Sequence, residues 1–268
     1  MAYTFGGAVG SRCAFTTTLT NWQSANMGVI TGWYRPTTLT ATRRYWGAGT
    51  VIHARVGTTT SEISMQTNNG TTAGVWTTSG AGIAVNTWWF VAWIWALNNT
   101  GPAGNWRVYV GTVETAPQEV TVNTTTSPVG NYTGSTAFTF GNDTNNSLSY
   151  QGDLADLSLL GTSATGAASL LNIAATTAIT QLEADHIYQT WILPHWLGRP
   201  QEVWDRPVSV SCDYFYWPAH PLANVYRKSN QAVVTHVAPT LTSATVSANG
   251  NPRPLYTPAL SAPYVNKR

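Results

Sequence analysis

The sequence predicts a mainly-β protein: a two-sheet antiparallel sandwich with one or two short helices and an extended, proline-rich C-terminal arm. Three observations carry that class. Short runs of β-branched and aromatic residues recur through residues 1–160, separated by Gly, Asn, Thr and Pro turns, the spacing of a sandwich or barrel. One run, Trp88-Trp89-Phe90-Val91-Ala92-Trp93-Ile94-Trp95, has four tryptophans in eight residues and no charge, as a strand buried on both faces would. Only 9% of the residues are charged, against about 25% in an ordinary soluble domain, and the polar remainder is largely Thr and Asn, which suit exposed strand positions and turns.

Taken in order, the predicted strands are 28–34, 50–56, 63–66, 73–76, 88–95, 107–110, 119–122, 138–140 and 153–160. The tryptophan-rich run is too short to cross a bilayer, which takes roughly 20 apolar residues. The turn residues Asn98, Asn99, Gly101, Pro102 and Gly104 then lead into Trp106-Arg107-Val108-Tyr109-Val110-Gly111. In 153–160, Ala155, Leu157 and Leu159 alternate with Asp156 and Ser158, a half-buried pattern.

The character changes near Gly161. Residues 167–175 are Ala- and Leu-rich and suit a short helix. Thr180-Gln181-Leu182-Glu183 fits a capping box, and Ala184, Ile187, Tyr188 and Trp191 then form one apolar stripe, with Pro194 expected to end the helix. From His195 onward nine prolines, from Pro200 to Pro263, punctuate aromatic stretches. Proline cannot donate to a ladder, so residues 193–268 read as an extension whose part beyond about 239 is an arm. Leu255, Tyr256, Leu260, Tyr264 and Val265 are too apolar for a well-solvated disordered segment, so two readings stand side by side: an arm laid over its own sandwich or a neighbouring subunit, and a flexible tail.

Charge excludes some functions. The net charge is +2, and the adjacent basic pairs, Arg43-Arg44, Arg227-Lys228 and Lys267-Arg268, are isolated from one another. Nucleic-acid binding calls for clustered Lys and Arg. The start, Met1-Ala2-Tyr3-Thr4-Phe5, has neither a basic nor an apolar leader region, so a signal peptide is not expected. Cys13 and Cys212 are the two cysteines and are expected to be reduced and structural.

The order of landmarks resembles the concanavalin A-like jelly roll, in its laminin-G-like branch. An aromatic-bearing early strand, Val29-Ile30-Thr31-Gly32-Trp33-Tyr34, precedes Asn86-Thr87-Trp88-Trp89-Phe90-Val91-Ala92. Tyr109-Val110-Gly111, Phe138-Thr139-Phe140-Gly141 and a closing Tyr150-Gln151-Gly152-Asp153-Leu154-Ala155-Asp156-Leu157-Ser158-Leu159 follow. The resemblance covers roughly residues 1–192 and implies a jelly-roll sandwich; residues 193–268 lie outside it. The family is functionally mixed, so fold alone does not choose a function.

Catalysis is not expected. Glycoside hydrolysis needs two carboxylates flanking the scissile bond, and the nearest pair, Asp153 and Asp156, is spaced by three, which in a regular strand puts them on opposite faces. A Gly-x-Ser-x-Gly elbow and phosphate-cradling loops are absent. His53, His186, His195, His220 and His236 show no ligand spacing and read as packed or surface histidines. The resemblance implies a calcium site in some members; Asn142, Asp143 and Asn145 are the candidates here, and the same residues read equally as a polar turn. Trp33, Tyr34, Trp46, Trp76 and Trp217 could stack on pyranose rings, although most of 13 tryptophans must be core or interface anchors.

Two functional expectations follow. The first is a non-enzymatic structural protein of a bacteriophage virion, a capsid decoration, cement or minor capsid component made in the host cytoplasm. It would assemble with copies of itself and a capsid protein through the sandwich and the arm. Scarce charge, which favours association, and compositional likeness motivate it. The second is a carbohydrate-binding, lectin-like module for adsorption to a cell surface. Neither requires a cofactor, a nucleic acid or a membrane.

Overall fold

The computed structural model describes residues 2–8, 10–15, 27–40, 42–49, 52–57, 61–68, 70–97, 104–130, 138–142, 148–162, 179–197, 213–217, 224–226, 240–242 and 244–246. The strands are β1 (Ala2–Gly6), β2 (Arg12–Phe15), β3 (Met27–Pro36), β4 (Arg44–Ala48), β5 (Ile52–Val56), β6 (Ile63–Thr67), β7 (Gly74–Ser79) and β8 (Trp89–Leu97). There follow β9 (Gly104–Gly111), β10 (Gln118–Thr126), β11 (Phe138–Phe140), β12 (Gln151–Thr162), β13 (Asp213–Trp217), β14 (Asn224–Tyr226), β15 (Thr240–Thr242) and β16 (Ala244–Val246). Helix α1 (Gln181–Ile187), a π-helical turn at Tyr188–Ile192 and α2 (Leu193–Trp196) lie between β12 and β13.

Every strand pairing among the described residues is antiparallel. The strands make two layers. Sheet A runs β14-β13-β12-β3-β8-β9-β10, with β1 also on β12 and β16 on β1; sheet B runs β10-β7-β6-β5-β4-β11-β2-β15. β10 belongs to both: its residues 118–120 pair with β9 and its residues 121–126 with β7. The layers are therefore continuous along one side.

The core lies between them. Trp93 and Trp95 of β8 and Trp106 of β9 meet Trp46 of β4, with ring centroids 5.9–6.2 Å apart, and Phe138 stacks on Trp46 at 5.9 Å. The absence of charge in the tryptophan-rich strand now has a cause. Val91, Trp93 and Trp95 face sheet B, while Phe90, Ala92, Ile94 and Ala96 face outward into a second apolar cluster. That cluster is closed by Ile179, Ala184, Ile187, Trp191, Ile192 and Trp196 of the helical segment. Burying each large side chain contributes about 1.5–3 kcal/mol, and two-sided burial leaves no position for a charge.

The capping box forms as expected: Thr180 Oγ1 accepts from the Glu183 amide at 3.3 Å, and the Thr180 amide donates to Glu183 Oε2 at 2.7 Å. The stripe Ala184, Ile187 and Trp191 is buried, with Tyr188 packed beside it. Pro194 does not end the helix. The backbone widens into the π turn, where the Leu193 amide donates to Tyr188 O, and Pro194 falls in the first turn of α2, where a missing N–H costs nothing.

A second difference lies in β12. Its register with β3 shifts between Ala155 and Ser158, and Asp156 sits there with φ +45°. This bulge inverts the alternation, so Leu154, Leu157 and Leu159 face the core while Ala155 faces the helices. The extension beyond 192 is also less separate than its composition suggests. β13 pairs with β12, β15 with β2 and β16 with β1, so its described strands belong to the two sheets. Residues 247–268, with Leu255, Tyr256, Leu260, Tyr264 and Val265, lie outside the described residues, as does the expected helix at 167–175.

Candidate functional site

The two outer faces of the sandwich differ. That of sheet A is apolar and sealed by the helical segment. Arg107 anchors this cover: its Nη1 pairs with Glu119 Oε1 at 2.7 Å and donates to Gln181 Oε1 at 2.9 Å, while its Nη2 donates to Ile179 O at 2.8 Å. Trp196 Nε1 donates to Thr112 O at 2.9 Å. Under the cover, His195 Nδ1 shares hydrogen bonds with Thr31 Oγ1 and Ser158 Oγ, and its ring packs edge-on against Phe90. Burial pushes the His195 pKa down to about 3, opposed by a hydrogen bond with the Asp156 backbone. A neutral, buried histidine held between Thr31 and Ser158 in this way is a structural fastener.

The outer face of sheet B carries the chemistry. Strict alternation in β5 puts Ile52, Ala54 and Val56 in the core and His53 and Arg55 outside. Pairing puts Arg44 opposite Arg55 across β4–β5 and Gly47 opposite His53; on the other side β6 sets Gln66 against His53 and Ser64 against Arg55. The row continues through Thr139 of β11, whose Oγ1 donates to Asn142 O at 2.7 Å, and through Thr77, Ser79 and Asn123 on β7 and β10. Hydroxyl, amide, guanidinium and imidazole groups thus line one face.

His53 is the anomalous member. It is 3% exposed, and neither ring nitrogen has a hydrogen-bond partner. Its pKa is driven well down, first by burial and then by the charges of Arg44 and Arg55. Among the described residues no carboxylate pairs with Arg55, whose own pKa burial lowers. Like charges directly opposite in a ladder are unfavourable, and each unsatisfied buried polar group costs about 1–3 kcal/mol.

The residues singled out from sequence fare differently. Trp33, Trp46 and Trp76 are 1%, 0% and 2% exposed and Tyr34 is buried, so none offers a ring face to a sugar. The first packs beneath the helices and the others fill the interior, because large apolar rings gain more from burial than from a wet surface. The Trp217 side chain lies outside the described residues. Among the described residues the exposed large hydrophobics are Val85, Val129 and Leu182, none aromatic.

Asn142 is not poised as a calcium ligand. Its Nδ2 donates to Ser149 Oγ at 2.8 Å and Ser11 O at 3.2 Å, and its Oδ1 accepts from the Leu148 amide, so the side chain clasps a loop. Asp143 and Asn145 lie outside the described residues. Among the described residues no group of three His, Cys, Asp or Glu side chains could hold a metal. Asp153 is buried in a structural network, accepting from Thr4 Oγ1 and pairing with Arg35 Nη1 at 3.0 Å. The basic doublet Arg43-Arg44 is tied down: Arg43 Nη1 donates to Ser149 O at 2.6 Å, and Arg44 is buried. Sequence reasoning passed over His53; the alternation Ile52-His53-Ala54-Arg55-Val56 was the available signal, since it sets an imidazole and a guanidinium on the polar face of a half-buried strand.

No helix among the described residues is long and apolar enough to cross a membrane. No protein family model and no curated protein matches the chain. Among solved structures, the chain is similar over 59% of its length to a mouse laminin alpha1 chain fragment, with 13% identity and a TM-score of 0.40. It is similar over 59% to a heptameric SAP-like pentraxin from Limulus polyphemus, with 12% identity and a TM-score of 0.35. It is similar over 60% to a Bacteroides ovatus protein provisionally described as carbohydrate binding, with 8% identity and a TM-score of 0.40. The chain spans 40% of the laminin fragment, 74% of the pentraxin and 44% of the Bacteroides protein. Likenesses this distant carry no functional argument; the mainly-β, antiparallel sandwich stands on its own strand pairing.

Proposed function

We propose that the protein is a non-catalytic recognition module that binds carbohydrate through the outer face of sheet B. One observation carries this reading: that face presents half-buried or exposed side chains that donate and accept hydrogen bonds, Arg55, Gln66, Thr77, Ser79 and Asn123, while the opposite outer face is covered by the helical segment. A ligand rich in hydroxyl groups matches such a surface. With Trp33, Trp46 and Trp76 inside, recognition on this face proceeds by hydrogen bonding and charge.

A glycan array probed with the whole chain tests this. Binding that is lost when Gln66 and Asn123 are replaced by Ala supports it; an array without hits, with and without calcium, overturns it. A structural role in a multi-copy particle, including a phage virion, is a second reading, favoured by the 9% charge content and by β10, an almost wholly exposed Thr-rich strand. Mass measurement in solution separates the two: a stable monomer at micromolar concentration counts against assembly.

A further inference from the structure

We propose that the ligand of this face is a segment of neutral, extended β-linked polysaccharide lying across strands β6, β7 and β10. The inference rests on the carbohydrate reading above and names the class of saccharide selected. Two observations carry it, one of charge and one of spacing. Met65, Trp76, Val120 and Val122 pack on the core, so alternation turns Gln66, Thr77, Ser79, Thr121 and Asn123 outward. All five are half-buried or exposed, and none is charged. A uronate or sulfate laid on these three strands would lose water without meeting a cation, which is costly. Neutral hydroxyl groups exchange water for equivalent partners.

The register sets Thr77 opposite Asn123 and Ser79 opposite Thr121, ahead of the shift between Thr124 and Thr126, and sets Gln66 opposite Val75. Neighbouring strands lie about 4.8 Å apart, nearly the advance per pyranose of an extended β-1,4-linked chain. A saccharide running at right angles to the strands therefore meets a fresh hydroxyl or amide at about every unit. A coiled α-1,4-linked chain does not keep to such a row. The groups also hold one another in place: Asn123 Nδ2 donates to Ser79 Oγ at 3.4 Å, and the Thr77 and Thr125 hydroxyls share a hydrogen bond at 3.3 Å. Binding then orders little that is not already ordered.

The test uses the whole chain and calorimetry. Cellotetraose or xylotetraose is expected to bind at least about fivefold tighter than cellobiose, the gain of one further hydrogen-bonded unit, and tighter than maltotetraose or tetragalacturonate. Asn123→Ala and Thr77→Val should each weaken tetramer binding at least about threefold, while Leu182→Ala, on the helical cover, leaves it unchanged. Should half-buried Thr77→Val disturb the fold, exposed Asn123→Ala decides. Tetramers that bind no tighter than cellobiose, or that bind Asn123→Ala as well as the intact chain, overturn the proposal. Preferential binding of maltotetraose or tetragalacturonate, lost on replacing Gln66 and Asn123 by Ala, also overturns it but keeps the carbohydrate reading. Binding of no saccharide sinks both.

Discussion

Gly152 stands where three strands meet, opposite Phe5 of β1 and Pro36 of β3. Its φ is +144°, and a Cβ there would lie 2.2 Å from Arg35 O. Gly152→Ala therefore combines backbone strain with a clash against main chain and should lower stability by at least about 2 kcal/mol, read from urea unfolding. Trp46, ringed by Trp93, Trp95, Trp106 and Phe138, should cost about 3–5 kcal/mol on truncation to Ala. Any loss of ligand binding in that variant should disappear under conditions where it is folded. At this scale the sequence spoke clearly about type and poorly about exposure. Thirteen tryptophans announce a core, yet nothing in Trp33, Trp46 or Trp76 says which face of which strand each occupies. His53 shows the converse: a common residue type made unusual by its partners on β4 and β6, which only pairing reveals.

Element by element, the strongly patterned segments were readable. β3, β8, β11 and β12 and the capping box of α1 appear close to where periodicity puts them, because long apolar runs and caps carry their own signal. β1, β2 and β4 were missed. Arg44-Tyr45-Trp46-Gly47-Ala48 mixes a cation and a glycine, and strand propensity yields there to pairing with β5 and β11. The π turn escaped for a related reason: Pro194 reads as a stop, and only packing of Trp191, Ile192 and Trp196 on sheet A makes the widened turn worthwhile. His195, delivered by α2, has a consequence for pH. Its native pKa is about 3, against about 6.5 unfolded. Above pH 6.5 both states are neutral and stability is full. As pH falls below 6.5 the unfolded chain gains a proton that the native state resists, so stability declines, by about 2 kcal/mol at pH 5 from this residue. Urea midpoints at pH 7.5 and 5.0 should show the decline, and His195→Gln should reduce it.

At the level of the whole molecule, the proline-rich extension reads from sequence either as an arm laid over the sandwich or a neighbour or as a flexible tail. Its strands β15 and β16 pair with β2 and β1 of the sandwich. Truncation after residue 239 removes the strands that cover the edges of β2 and β1. The shortened chain should be less stable and more prone to associate, since open edges template pairing. Light scattering and melting temperature check this; a truncated chain as stable and monomeric as the intact one contradicts it. The extension could not be read this way in advance because its partners lie more than two hundred residues earlier, beyond any local pattern.

The strand shared by both sheets has an implication for how the molecule is made. With β10 carrying the backbone from one layer into the other, that side of the sandwich is complete as soon as β7, β9 and β10 exist. The opposite side waits for β13 to β16, which leave the ribosome after every strand they cover. During synthesis, then, vulnerability sits on one flank only. Until β13, β15 and β16 emerge, the edges of β12, β2 and β1 stay open, and the protein's own later residues close them.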